Sequence, residues 1–289
     1  MNTFDDSSAV YGQRFYRESG IAPPGGVVLT LLMGTVAATV VGAIYSAITF
    51  INPFIYINLL ATIGLGISVA AAVGMGASWG RVRNNKVVLA LALLSAAIAE
   101  YVSWVTFVSL LMEGNAIILS PAALLEIIPL IAEEGYYSLG SSVVSGTLLW
   151  VLWGIEALMV FGIAAVGTVG VSEVYCEESG EWTEEQKDVV RLRPLNDQFI
   201  KKLLDQDYSV LHTDVELEPA TSLDALRIDL FQPRIKTADH YLSVVQLSPK
   251  ETKEGLEAEE QVVLKHLIIP PAAADSIRAL GQRAETVRS

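Results

Sequence analysis

Two acids stand where acids are rare. Glu100 and Glu156 each lie near the middle of a long apolar stretch, Val87–Met112 and Val143–Val171. An ionised carboxylate in the middle of a bilayer costs at least roughly 2.5–3.5 kcal/mol on insertion scales, and lysine or arginine partners normally relieve it. No apolar stretch of this chain contains a lysine, arginine or histidine. Three states lower the cost. Both acids are protonated, they share one proton, or a cation sits between them. Ser103 and Trp104 lie one turn from Glu100, and Trp153 lies one turn from Glu156. These five residues are the candidate intramembrane site for a proton, a cation or a polar ligand.

A second role competes with that one. A protonated glutamate is also interhelical glue, donating to a backbone carbonyl or to another acid. A catalytic carboxylate pair is the weakest option, because no nucleophile or metal-ligand cluster accompanies the acids. No HExxH, GxSxG or phosphate-loop pattern occurs, and His212, His240 and His266 are scattered. The expectation is no enzyme, no cofactor and no metal. The lone cysteine, Cys176, with Ser179 three residues on, has the spacing of a degenerate metal knuckle but reads more simply as a free thiol.

Four apolar stretches position the acids: about Val27–Ile51, Ile55–Trp79, and the two already named. Each reaches the roughly 20 residues needed to cross a bilayer. Asn52-Pro53 joins the first two as a tight hairpin. Small residues recur every four positions, at Gly34, Ala38 and Gly42 in the first and at Gly64, Ser68, Ala72 and Gly76 in the second. That spacing lets helix backbones approach and pack in lipid, against each other or against another copy.

Arg81, Arg83 and Lys86 fall in the short loop between the second and third stretches. The bias of basic loops toward the cytoplasm puts this loop and both termini inside. The segment Glu113–Ser142 has four acids and no base, which suits the outer face. Within it Ser120-Pro121 opens a short interfacial helix over Pro121–Glu134, kinked or ended near Pro129. Tyr136 and Tyr137 suit the headgroup zone. Glu100 lies 13 residues into the outward third span and Glu156 lies 15 residues from the end of the inward fourth. At 1.5 Å per residue these are about 20 and 22 Å, so the two acids share a depth.

Composition fits this layout. The 289 residues are 52% hydrophobic, with mean hydropathy +0.45, too apolar for an ordinary soluble domain. Residues 1–172 carry 9 acids and 5 bases, while residues 173–289 carry 23 and 14. An acidic tail repels phosphate backbones, so nucleic acid is not an expected partner.

The fold class expected is an all-α polytopic membrane bundle of four transmembrane helices plus a short extracytoplasmic interfacial helix, followed by a small cytosolic α+β domain. The divisions are a polar segment over 1–24, the four-span domain over 25–172, an acidic linker over 173–187 and the cytosolic domain over 188–289. In that domain a short strand over Asp188–Arg193 and a helix over Asn196–Asp205 precede strands at Ala225–Phe231, Tyr241–Leu247 and Gln261–Ile269. Leu226, Ile228 and Leu230 alternate with Arg227 and Asp229 as in a half-buried strand. Pro249–Glu260 reads as a charged connector and Ala272–Arg283 as a closing helix. The expected setting is a plasma or bacterial inner membrane. The expected role is a membrane-anchored scaffold, sensor or regulatory subunit with a protein partner or a second copy. The alternative is a small oligomeric transporter or channel using Glu100 and Glu156.

Overall fold

The computed structural model describes residues 14–52, 54–139, 142–168, 174–193, 197–212, 215–252 and 255–286. The first 13 residues of the polar segment expected over 1–24, Pro53, Asn196 and the end of the fourth apolar stretch at Val171 lie outside them. The described residues form seven α-helices and three antiparallel sheets in two compact units.

The first unit spans Ser19–Ser172. Its long helices are α1 (Pro24–Ile51), α2 (Ile55–Trp79) and α3 (Asn85–Leu111). A short α4 (Pro121–Glu134) and a hairpin of β1 (Tyr137–Leu139) and β2 (Ser142–Val144) lead into α5 (Gly146–Gly167). α1, α2, α3 and α5 are each long and apolar enough to cross a bilayer.

Local chemistry sets the boundaries. Pro24 starts α1, where its missing N–H costs nothing. The Asn84 side chain caps α3 by accepting from Lys86 and Val87 N–H, both at 3.1 Å. Ser120 caps α4, and Gly135, at φ 86°, follows it. α4 runs through Pro129 rather than stopping there. The fourth apolar stretch is shorter as a helix than expected. Val143 and Val144 leave it to pair with Ser138 and Tyr137, and Gly146, at φ 62°, takes a left-handed turn at the helix entry.

α1 has two faces of opposite kind. Gly26, Thr30, Gly34, Ala38, Gly42 and Ser46 are buried against α2 and α3. Val28, Leu32, Val36, Val40 and Ile44 point away, each more than half exposed. The small residues fill the interior and the branched residues face outward, the arrangement lipid favours. Backbones approach closely as a result. A Cβ on Gly34 would stand 2.2 Å from Ser95 Oγ, and one on Gly76 would stand 2.7 Å from Thr30 Cα.

The ridge expected on α2 is broken. Ala72 and Gly76 are buried, but Gly64 is exposed, with nothing within 4 Å of the place a Cβ would take, and the Ser68 hydroxyl bonds its own helix at Gly64 O. Farther along α2 it is Gly66 that permits contact, with Ile163 of α5. The cause is that α2 packs against α5 as well as α1, so its buried positions extend beyond one four-residue stripe.

The second unit gathers residues up to Glu18 and from Glu173 on. Its small hairpin is β3 (Tyr175–Cys176) with β4 (Glu181–Trp182). A five-stranded antiparallel sheet follows, built from β5 (Glu184–Leu192), β6 (Leu217–Glu218), β7 (Ala225–Gln232), β8 (His240–Thr252) and β9 (Gly255–Ile269), in the order β6-β5-β7-β8-β9. Helices α6 (Asp197–Leu204) and α7 (Pro271–Thr286) complete the unit. Leu203, Ile228, Leu242, Leu267 and Ile277 form its core.

Three expectations change here. Residues 173–187 are not a linker, since they hold β3, β4 and the start of β5. Pro249–Glu260 is not a connector either. β8 and β9 continue through it as a paired ribbon, with Lys250 bonded to Glu259 at 2.6 Å across the strands. Cross-strand charge pairs let a polar sequence stay extended. Finally, Arg227 and Asp229 are buried rather than solvent-facing, at 5% and 4% exposure. Arg227 reaches Asp229 at 3.1 Å and both oxygens of Glu260, and Asp229 accepts the Asp188 N–H at 2.7 Å. Satisfied on several sides, the charges tolerate burial.

Residues 14–16 belong to this sheet. Tyr16 N–H donates to His266 O at 2.9 Å and Ile268 N–H donates to Arg14 O at 2.7 Å. Phe15 pairs with Leu267, so the segment covers the free edge of β9.

Candidate functional site

The helical unit has a partly open cavity of about 70 Å³ at the end where the β1–β2 hairpin lies. α3 contributes Glu100, Ser103, Trp104 and Phe107. These positions share a face because i, i+3, i+4 and i+7 align on a helix. α5 contributes Trp153, Glu156 and Ala157. All five residues singled out from the sequence line this one space.

Six further residues line it. α1 supplies Tyr45, Ser46 and Thr49, α3 Phe107, α5 Ala157 and the hairpin Tyr137. Tyr45 and Ser46 continue the small-residue face of α1, so their inward orientation could have been read from the four-residue spacing. Tyr137 could not. It stands in a polar stretch far along the chain, and it reaches the cavity only because the hairpin folds back. A bridge from Ser138 to Phe54 ties that hairpin to the α1–α2 connection. The neighbouring Tyr136 hydroxyl donates to Phe50 O at 2.7 Å.

Glu156 is the better-anchored acid. It is 7% exposed. Its Oε2 accepts from the Tyr137 hydroxyl at 2.9 Å and, more weakly, from the Tyr45 hydroxyl at 3.5 Å. Thr62 lies 3.4 Å from that Tyr45 hydroxyl and donates to Asn58 O at 2.8 Å. Among the described residues no hydrogen bond reaches Glu156 Oε1 or the Glu100 carboxylate. A carboxylate has about four acceptor positions, so most of the acceptor capacity of the pair is turned to the cavity.

The hydroxyls nearby are already committed. Ser46 donates to Ser103 O at 2.5 Å, Ser103 to Glu100 O at 2.8 Å, and Thr49 to Ser46 O at 3.0 Å. The walls are aromatic. Trp104 and Trp153 meet at right angles with centroids 4.9 Å apart, and Trp104 meets Phe107 at 6.0 Å and 83°. Such edge-to-face contacts hold rings in fixed orientation.

One turn farther from the hairpin the interior changes character. Ala38, Leu65, Ala96, Ala99 and Val160 pack together there, with the buried Ser95 beside Gly34. A volume of about 70 Å³ is room for about two waters at liquid density. The arrangement can therefore hold a proton, or a small positive ligand with little else.

The other unit offers less. Cys176 is buried, and its Sγ accepts the Ser179 N–H at 3.4 Å in a turn rather than facing a second ligand. His212 meets Ser276, His240 meets Ala238 O, and His266 packs on Phe231. Among the described residues no three His, Cys, Asp or Glu side chains converge as a metal site. Comparison of the chain with known families, with curated proteins and with solved structures gives no match.

Proposed function

We propose that the chain is a multi-pass membrane sensor or regulatory subunit. Its helical bundle takes up a positive ligand at Glu100 and Glu156, and its α+β unit presents a surface to a partner protein. We place it in a plasma or bacterial inner membrane with both termini cytoplasmic, following the bases Arg81, Arg83 and Lys86 between α2 and α3.

The observation that carries the reading is the cavity. Two acids from two spans face one small space, and none of the four apolar stretches carries a base. Glue alone would leave the acids bonded to each other or to backbone, whereas here their free acceptors line a void. The apolar packing of Ala38, Ala96 and Val160 beneath it favours a binding site over a path through one copy, since a crossing ion needs polar stations along its way.

The full chain in lipid vesicles tests this. Tryptophan fluorescence is followed while pH, Na⁺, K⁺, Ca²⁺ and tetramethylammonium are varied in turn. At least one of these gives a saturable change that Glu100→Gln/Glu156→Gln removes, without net uptake into the vesicles. A parent protein silent to all of them ends the reading. Uptake that depends on the two acids replaces it with transport.

A further inference from the structure

Resting on the reading of this cavity as a cation site, we infer that its ligand is a small methylated ammonium ion rather than a metal cation. Three features of the lining converge on that class.

The first is the walls. Tyr45, Trp104, Phe107, Tyr137 and Trp153 surround the space. Ring faces carry negative potential and attract a cation within about 6 Å, most strongly when water is excluded. Trp104 and Trp153 both line the space and pack edge to face, with centroids 4.9 Å apart. The hydroxyl of Tyr137 is fixed to Glu156 at 2.9 Å, which holds its ring in place as well.

The second is charge. Glu156 is 7% exposed, and no described hydrogen bond reaches its Oε1. Glu100 lines the same cavity with no side-chain partner among the described residues. One positive charge together with one proton shared by the pair balances them at close range, without a shell of donor atoms.

The third is hydration. Hard metal ions take six or more oxygen ligands in place of their water. Ser46, Thr49 and Ser103 keep lone pairs after donating to backbone carbonyls, but much of the lining is ring. A methylated ammonium is weakly hydrated and loses little on entering such a site.

The test measures radiolabelled tetramethylammonium held by the full chain in detergent. Binding is expected to saturate, to be displaced by trimethylammonium, and to survive a tenfold excess of Na⁺ or K⁺. Trp153→Leu weakens it by about 2- to 30-fold, the range of a desolvated cation–ring contact, and Trp153→Phe restores most of the loss. Trp79→Leu, far out on an exposed position, leaves it unchanged. Circular dichroism and size exclusion select variants that fold. If Trp153→Leu proves unfolded, Trp104→Phe and Trp153→Phe, each expected to weaken binding less than about fivefold, are compared with Glu156→Gln, expected to abolish it.

Displacement by equal Na⁺ or K⁺ overturns the inference, as does a folded Trp153→Leu that binds like the parent. If tetramethylammonium does not bind but the two glutamates still govern a response to Na⁺, K⁺, Ca²⁺ or protons, the inference falls and the cation site stands. Silence toward every cation removes both.

Discussion

Tyr137 gives Glu156 a hydroxyl that no transmembrane helix supplies at that distance. A hydrogen bond to a charged group contributes about 1.5–3 kcal/mol, and the 2.9 Å contact from Tyr137 is far better formed than the 3.5 Å contact from Tyr45. Tyr137→Phe should therefore lower the thermal stability of the bundle in detergent by about 1–3 kcal/mol, and Tyr45→Phe by less. Equal melting of Tyr137→Phe and parent would show that the hydroxyl does not hold the acid. In the second unit, His266 sits in a bulge of β9 at φ 54°, its N–H donating to Ser243 Oγ. Burial, with Lys265 adding to it, lowers the imidazole to about 4. The unfolded chain binds a proton near pH 6.5, so between about 6.5 and 4 it holds more protons than the folded one. Stability is full above that window and is lost as pH falls through it. His240 acts in the same direction, again through burial. Urea melts of the full chain from pH 7 to pH 4 should show the fall. His266→Asn, which keeps a residue at ease with positive φ, should flatten it.

At the scale of elements, the helices are held by glycines chosen by place rather than by number. Gly76 faces the Thr30 backbone, where a Cβ would stand at 2.7 Å. Gly76→Ala should push α1 and α2 apart and cost about 1–3 kcal/mol. Gly64 has open space instead. Gly64→Ala should be neutral or should stabilise by up to about 1 kcal/mol through helix propensity. Melting of the two variants side by side checks the contrast, and equal losses would mean that the packed face of α2 is wrongly assigned. The four-residue spacing of small residues was visible in both stretches. It identified the packed face of α1 but not of α2, because α2 packs against two helices, α1 and α5, and no local pattern records the second.

For the molecule as a whole, the chain's beginning serves its end. Phe15 packs on the core of the second unit and pairs with Leu267, although more than 150 residues of bundle come between them in the sequence. Phe15→Ala should weaken that unit by about 1–3 kcal/mol, below the 3–5 typical of a fully buried phenylalanine. Deleting residues 1–18 should speed hydrogen exchange at the Ile268 amide, which now donates to Arg14 O. Unchanged protection there would show that the segment does not cover the β9 edge.

The sequence by itself determined the elements whose signal is local. Long apolar runs mark helices that lipid can hold, Ser120-Pro121 opens α4, and alternation in Leu226–Leu230 marks a strand. It also determined that Glu100 and Glu156 lie at one depth, because helix rise and chain direction are enough for that. Tertiary structure decided the rest. That the acids line one space with Trp104 and Trp153 depends on helix rotation, which apolar composition all around a helix leaves open. That Tyr137 joins them depends on a hairpin closing over the bundle. That Arg227 and Asp229 are buried depends on Glu260 arriving from another strand. In each case the deciding partner is distant in sequence, and only the folded chain brings it within reach of a hydrogen bond.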